Sequence, residues 1–351
     1  VEFSRRQGLK MGLFGSVAAL GVALAGCSTG AVGGSASQSS QASTDTFPVT
    51  VKHIYGETVI KSAPQRVATV SWVNDDVAIA LGVIPVGMPK NEWGGNDKMS
   101  TPWKDAALEK AGASIGTAKA PVQYSETDGV NFTEIAKTNP DIILAAYSGL
   151  SQEDYDKLSK IAPVIAFPKT PYGTSWQDST AMIGAALGKS AAATELVAAT
   201  EKTITEQGAK YPQLAGKTFI YGNLEPDKSD GVNVYTAADN RPKFLTSIGM
   251  KLAPVVTKAE QGVDGFFIAW SAEKANELDS QVFVSWVPDN KSKAAIVADP
   301  LLGQIPAVKK GAFVADTDTS LTLAISASSP LSLPWALDAF LPQVAAAADK
   351  A

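Results

Sequence analysis

Five aromatic residues each stand directly after a short apolar run: Trp72 after VATVS, Tyr147 after ILAA, Tyr221 after TFI, Trp270 after FFIA and Trp286 after FVS. Two more, Trp93 and Tyr124, fall in loops between such runs. Rings gathered at one end of a set of strands can grip a large, partly apolar body without any covalent step. The alternative for each ring is a core position, because buried strand ends often carry aromatics. Arg241 follows Asp239-Asn240 at the start of a helical stretch, where a cation opposes the helix dipole and needs another partner. That partner is either a bound oxygen-rich ligand, which a guanidinium fork suits, or a salt bridge to Asp239 or Asp230. Arg66, at a strand entrance after Pro64-Gln65, reads as structural.

Catalytic inventories are thin. Gly112-Ala113-Ser114-Ile115-Gly116 fits the G-x-S-x-G pattern of hydrolases, with Ser114 as the candidate nucleophile. The motif requires a preceding strand and a histidine base; the preceding LEKAGA reads as helix, and His53, the only histidine, belongs to an N-terminal hairpin. No glycine-rich phosphate loop is visible, so any ATP hydrolysis must belong to other subunits. No basic face suggests nucleic acid.

The elements that would position these residues follow an alternating order. Val49 to Ile60 reads as a hairpin around Gly56, and Arg66 to Ser71, Ile142 to Tyr147 and Val164 to Phe167 read as buried strands. Asn74 and Asp75 are N-cap candidates for a helix ending at Gly82, and a helix from Glu153 to Ile161 separates two of the strands. Strands alternating with helices predict a parallel sheet covered on both faces. Ser190 to Tyr211 reads as one long helix dividing the chain, and Thr218 to Tyr221, Phe266 to Trp270, Val282 to Trp286 and Ala312 to Ala315 are strand candidates beyond it. The expected fold class is therefore α/β: two Rossmann-like lobes, the second a copy of the first in architecture, with mostly parallel sheets and a cleft between. A weak internal repeat places Glu134 and Glu273 at matching positions, each eight residues before a strand. Both also fit helix capping, Glu134 with Asn131 and Glu273 after Ser271.

The N-terminus points to export. Arg5 and Arg6 precede an apolar run from Met11 to Leu24, too short for the roughly 20 residues of a membrane span. The run ends at Leu24-Ala25-Gly26-Cys27, which resembles the lipobox of bacterial lipoproteins and makes Cys27, the only cysteine, the expected lipidation site. Ser4 to Lys10 is close to a twin-arginine consensus, with a general secretory signal as the alternative. Residues 1–26 would be the signal peptide and 27–46 a lipidated cysteine with a Ser/Gly/Ala-rich tether. The first lobe would occupy 47–189, the connecting helix 190–211 and the second lobe 212–351. Removing one acid and three bases with the signal takes the net charge from -5 to -7. With a single cysteine no internal disulfide can form, so stability must come from packing.

The stretches VKHIYGETVIKSAPQRV (51–67), NFTEIAKTNPDIIL (131–144), WSAEKANELDSQVFVSW (270–286) and DPLLGQIPAVKKGAFV (299–314) together resemble the ferric-siderophore group of ABC-importer substrate-binding proteins. The likeness runs in order through essentially the whole chain after Cys27. It implies two lobes joined by one rigid helix, little motion on binding, no catalysis and no bound cofactor. The implied cargo is a ferric siderophore, its iron held by the chelator, between Trp72, Trp93, Tyr124, Tyr147, Tyr221, Arg241, Trp270 and Trp286. Glu134 and Glu273 align with the family's glutamates that pair with arginines of the permease. A monomer, lipid-anchored on the outer face of the cell membrane, is expected. A cobalamin or haem receptor of the same fold is the nearest alternative; a lipoprotein hydrolase using Ser114 and a non-binding surface lipoprotein are the others. Relatives that take free zinc or manganese use several histidines, which this chain lacks.

Overall fold

The computed structural model describes residues 45–226 and 231–351. The export signal, Cys27, the tether up to residue 44, and Asp230 lie outside the described residues. The hairpin forms as the alternation predicts: β1 (Val49–His53) pairs antiparallel with β2 (Gly56–Ile60), Val49 opposite Ile60. Its inward residues Val51, His53, Thr58 and Ile60 are buried. His53 is spent on structure: its Nε2 lies 3.0 Å from the Thr58 hydroxyl, which donates to the Val164 carbonyl at 2.7 Å.

Five strands build the first sheet: β3 (Val67–Thr69), β4 (Gly87–Pro89), β5 (Val122–Tyr124), β6 (Ile142–Leu144) and β7 (Val164–Ile165). All pairings are parallel, in the order β5-β4-β3-β6-β7. Every residue of β3 and β6 is buried, the signature of a sheet covered on both faces. The strand order reverses around β3, and in such sheets the crevice beyond the carboxyl ends at that point is where ligands bind.

The second sheet holds β8 (Thr218–Leu224), β9 (Val232–Tyr235), β10 (Lys251–Leu252), β11 (Phe267–Trp270), β12 (Val282–Trp286) and β13 (Phe313–Asp316). Its path is β11-β9-β8-β12-β13, with β10 beside β8. Strands β8, β10, β12 and β13 run parallel, whereas β9 is antiparallel to both β8 and β11. The second lobe is thus no strict copy of the first, because a hairpin closes one of its edges. Four residues of alternation, Val-Asn-Val-Tyr, were too short a signal to reveal β9.

All strands of the first sheet precede all strands of the second, and the passage from one sheet to the other runs through the helix Ser190–Gly208. Its 19 residues span about 28 Å at 1.5 Å each. The helix Ser332–Ala348 returns from the second lobe and packs against this connecting helix and against Pro102–Lys110 of the first lobe. One buried cluster accordingly runs from Val51 and Val77 through Ile204 to Phe340 and Val344. The two lobes thus share a buried core and a helical brace.

Candidate functional site

Tight turns at the carboxyl ends of the first sheet carry the first wall. Trp72 sits between Ser71 (φ 61°) and Val73 (φ 76°), two non-glycine residues in the left-handed region. Such a turn persists only when its surroundings hold it, and two side chains do. The Ser71 N–H donates to Glu126 Oε2 at 2.9 Å. Asn74, expected from the sequence to cap the next helix, instead donates from Nδ2 to the carbonyls of Val70 (2.8 Å), Trp72 (3.0 Å) and Tyr147 (2.9 Å). It also accepts from the Tyr147 N–H at 3.1 Å. One buried amide thereby ties the turn after β3 to the turn after β6, fixing Trp72 and Tyr147 together. Tyr172, in the loop after β7, meets both, with ring centroids 6.0 Å from Trp72 and 5.9 Å from Tyr147.

The opposite wall comes from the second lobe. Trp286 ends β12 and Tyr235 ends β9. Arg241 projects from the helix Asn240–Ser247, whose N-cap is Asp239. Its Nε and Nη2 donate to Asp239 Oδ1 and Oδ2, both at 2.7 Å, and its guanidinium lies 3.3 Å from the centre of the Tyr235 ring. Arg241 is thus salt-bridged to Asp239, one of the partners its place in the sequence suggested, and it also lines the cleft. Burial raises the pKa of Tyr147, Tyr235 and Tyr221, so these phenols stay neutral at any physiological pH.

The helix Thr319–Ser326 contributes Thr322, Leu323 and Ser326. The loop carrying Trp93 rests on it through Gly94, where a Cβ would come within 2.9 Å of the Leu323 Cβ; the Ser320 hydroxyl donates to the Gly94 carbonyl at 2.8 Å. Only glycine, with φ +70°, fits there. Trp93 in turn meets Trp286 edge to face across the gap at 5.8 Å. The result is a cavity of about 590 Å³ between the lobes. Below it a polar layer clamps the lobes: the Trp103 indole and the Ser329 hydroxyl donate to Asp76 Oδ2 at 2.6 and 2.7 Å, and Lys104 pairs with Asp75 and Asp76. Burial pushes the Asp76 carboxyl up to about 6 despite Lys104.

Of the eight candidate ligand residues, Trp72, Trp93, Tyr147, Arg241 and Trp286 line this cavity, and three lie elsewhere. Tyr124 is buried in the first lobe, its hydroxyl on the Thr69 carbonyl and its ring filling the space that a side chain at Gly87 would need. Tyr221 is not at a strand end, because β8 runs on to Leu224; it stacks under Phe340 at 6.5 Å, and Asn223, two residues further on the same face, reaches the cleft instead. Trp270 pairs with Val232 across the β9–β11 ladder and so shares that residue's core-facing side, its indole donating to the Lys274 carbonyl at 3.0 Å. The sequence reading missed Tyr172, Asn223, Tyr235, Asp239, Phe266 and the Thr319–Ser326 helix, all of which line the cavity or carry its lining.

Glu134 lies in the first turn of Phe132–Lys137, its N–H capped by Asn131 at 3.2 Å and its carboxylate 2.6 Å from Lys137. Glu273 is exposed on the 3-10 turn Ala272–Glu277, and Ser271 gives it no side-chain cap. Ser114 sits in a turn after the helix Pro102–Lys110, without the preceding strand that a nucleophile elbow requires. Among the described residues no cluster of His, Cys, Asp and Glu could hold a metal ion, and no helix is long and apolar enough to cross a membrane.

Comparison with known proteins places this geometry. The chain is 34% identical to the Streptococcus pneumoniae protein PiaA, whose crystal structure contains ferrichrome; the superposition has a TM-score of 0.80 and covers 86% of this chain and 99% of that one. It is 25% identical over 275 residues to the Fe(3+)-citrate-binding protein YfmC of Bacillus subtilis, covering 75% of this chain and 77% of the relative. It is 24% identical over 287 residues to the ferric enterobactin-binding periplasmic protein of Escherichia coli, covering 78% of this chain and 85% of the relative. A family model described as periplasmic binding protein matches residues 67–319, which takes in both sheets and the cleft lining other than Thr322, Leu323, Ser326 and Ala327, and the chain belongs to that family.

Proposed function

We propose that this protein is a lipid-anchored, extracytoplasmic receptor that captures a ferric siderophore in the inter-lobe cleft and delivers it to an ABC permease. The observation that carries the reading is the cleft itself: about 590 Å³, walled by Trp72, Trp93, Tyr147, Tyr172, Tyr235 and Trp286, with one guanidinium among the rings. That volume is within the roughly 300–1,000 Å³ of small-molecule sites. Rings offer broad contact to the organic shell of a chelate, and Arg241 retains N–H groups for its oxygens. The ferrichrome in PiaA and the citrate and enterobactin in the names of the other relatives support the same cargo class. No covalent step is involved, and the iron keeps its chelator throughout.

Anchoring would come from a diacylglycerol on Cys27, and the Ser/Gly-rich tether would let the body reach its permease. Glu134 and Glu273, one on each lobe, would pair with permease arginines. Quenching of intrinsic fluorescence by a panel of ferric chelates tests the binding reading, since Trp72, Trp93 and Trp286 all border the cleft. At least one chelate should saturate the signal at micromolar concentration or below, and a panel without any binder would end the proposal. Reversing both glutamates to lysine should abolish iron uptake in cells while leaving chelate affinity unchanged; undiminished uptake would remove the docking role.

A further inference from the structure

The cleft contains a cation, but it is already spent. Among the described residues that line it, Arg241 and Asp239 alone carry charge, and they are bound to each other through two hydrogen bonds of 2.7 Å. Both side chains are largely shut off from water, at 15% and 6% exposure, so solvent does little to screen the pair. The rest of the lining is aromatic rings, aliphatic groups and the neutral dipoles of Asn223, Thr322 and Ser326. Behind Thr322 stands Asp316, which accepts from that hydroxyl at 2.7 Å and from the Asp318 N–H at 3.0 Å, with no cation against it among the described residues. The four residues 227–230 include Asp227, Lys228 and Asp230 in the sequence and add no net positive charge.

Ferric chelates differ in charge by simple proton counting. Three hydroxamates each lose one proton and cancel the charge of Fe(III). Three catecholates each lose two and leave the complex at -3, and polycarboxylate complexes are also anionic. A trianion moved from water into a cavity whose lining carries no net charge gives up hydration and gains no opposing charge from that lining. A neutral complex gives up far less and meets the same rings.

Resting on the ferric-siderophore reading, we infer that the cleft selects neutral or monocationic ferric tris-hydroxamates over tris-catecholate and polycarboxylate complexes, and that Asp239 sets this preference by cancelling Arg241. The inference separates this chain from its two relatives named for enterobactin and citrate.

Calorimetric titration of the whole protein with ferrichrome (neutral), ferrioxamine B (one free ammonium), ferric enterobactin (-3) and ferric citrate tests it. The hydroxamates should bind at least about 100-fold more tightly than enterobactin, and ferrichrome affinity should be flat in salt, since a neutral ligand has no charge to screen. Asp239→Asn keeps an N-cap residue and frees the charge of Arg241; it should narrow the hydroxamate-to-catecholate ratio at least about tenfold. Enterobactin binding within about tenfold of ferrichrome in the wild type would overturn the inference while leaving the siderophore reading intact. An unchanged ratio in the folded Asp239→Asn protein would overturn the role of Asp239. Binding of none of the four would instead sink the siderophore reading itself.

Discussion

Glu126 braces the turn that presents Trp72, and replacing it with glutamine separates its charge from its shape. Oε2 accepts the Ser71 N–H at 2.9 Å, while Oε1 is buried without a partner. Burial lifts this carboxyl from 4.5 to about 7, against the pull of the Ser71 hydrogen bond. In the unfolded chain the group ionises near its ordinary value; in the folded protein it keeps its proton to about 7. Between those values the folded state binds more protons, so stability falls as pH rises. At 1.36 kcal/mol per pH decade the full loss is about 3 kcal/mol, complete above pH 7. Glutamine keeps an acceptor for Ser71 and has no such loss. Its amide group, set where Oε1 lacks a partner, costs about 1–3 kcal/mol at every pH alike. The signal is therefore the change with pH: urea unfolding at pH 4.5 and pH 8 should show Glu126→Gln gaining about 2–3 kcal/mol on the wild type over that interval. Parallel stability curves for the two proteins would refute the reasoning.

The remaining predictions concern the parts that hold the walls. Arg241→Ala should weaken chelate binding at least about tenfold, or 1.4 kcal/mol, and Arg241→Lys should not restore it, because an ammonium has no fork for Asp239; calorimetry reads both. Ser329→Ala removes an inter-lobe hydrogen bond to the Asp76 carboxylate and should cost about 1.5–3 kcal/mol in urea unfolding, the range for bonds to charged groups. Asn74→Ala takes the side-chain partner from the Val70 and Tyr147 carbonyls and from the Tyr147 N–H, while the Trp72 carbonyl keeps the backbone N–H of residue 74, and it should lower stability by at least about 3 kcal/mol. It should also lower chelate affinity, because the Trp72 and Tyr147 turns lose their common tie.

In the first lobe β3, β6 and β7 were legible because they are buried and read as uninterrupted apolar runs, as in Val67–Thr69 and Ile142–Leu144. Strands β4 and β5 were not: Gly87-Met88-Pro89 and Val122-Gln123-Tyr124 are three residues each, Val122 is exposed, and Tyr124, read as a loop residue, ends β5. The connecting helix was legible from a stretch with no glycine or proline before Gly208. Harder to read was which face a strand residue takes. Trp270 ends an apolar run just as Trp286 does, yet its cross-strand neighbour Val232 belongs to the core, and that pairing depends on a hairpin too short to show in the pattern. Tyr221 failed for a related reason: hydrophobicity dips at Gly222-Asn223 while the ladder continues to Leu224. Tyr172 and Phe266 reach the cleft from loops, where no periodicity marks direction. Asn74 is the residue whose role was least readable, since its capping preference hides a contact with Tyr147 across 73 positions.

Iron scattering anomalously in a crystal of the protein with a ferric tris-hydroxamate tests the account most directly. A single iron peak between the Trp72 and Trp93 side and the Trp286 and Arg241 side, with no protein atom in its coordination sphere, is the predicted result. An iron peak outside the gap, or one ligated by a protein side chain, would contradict the account.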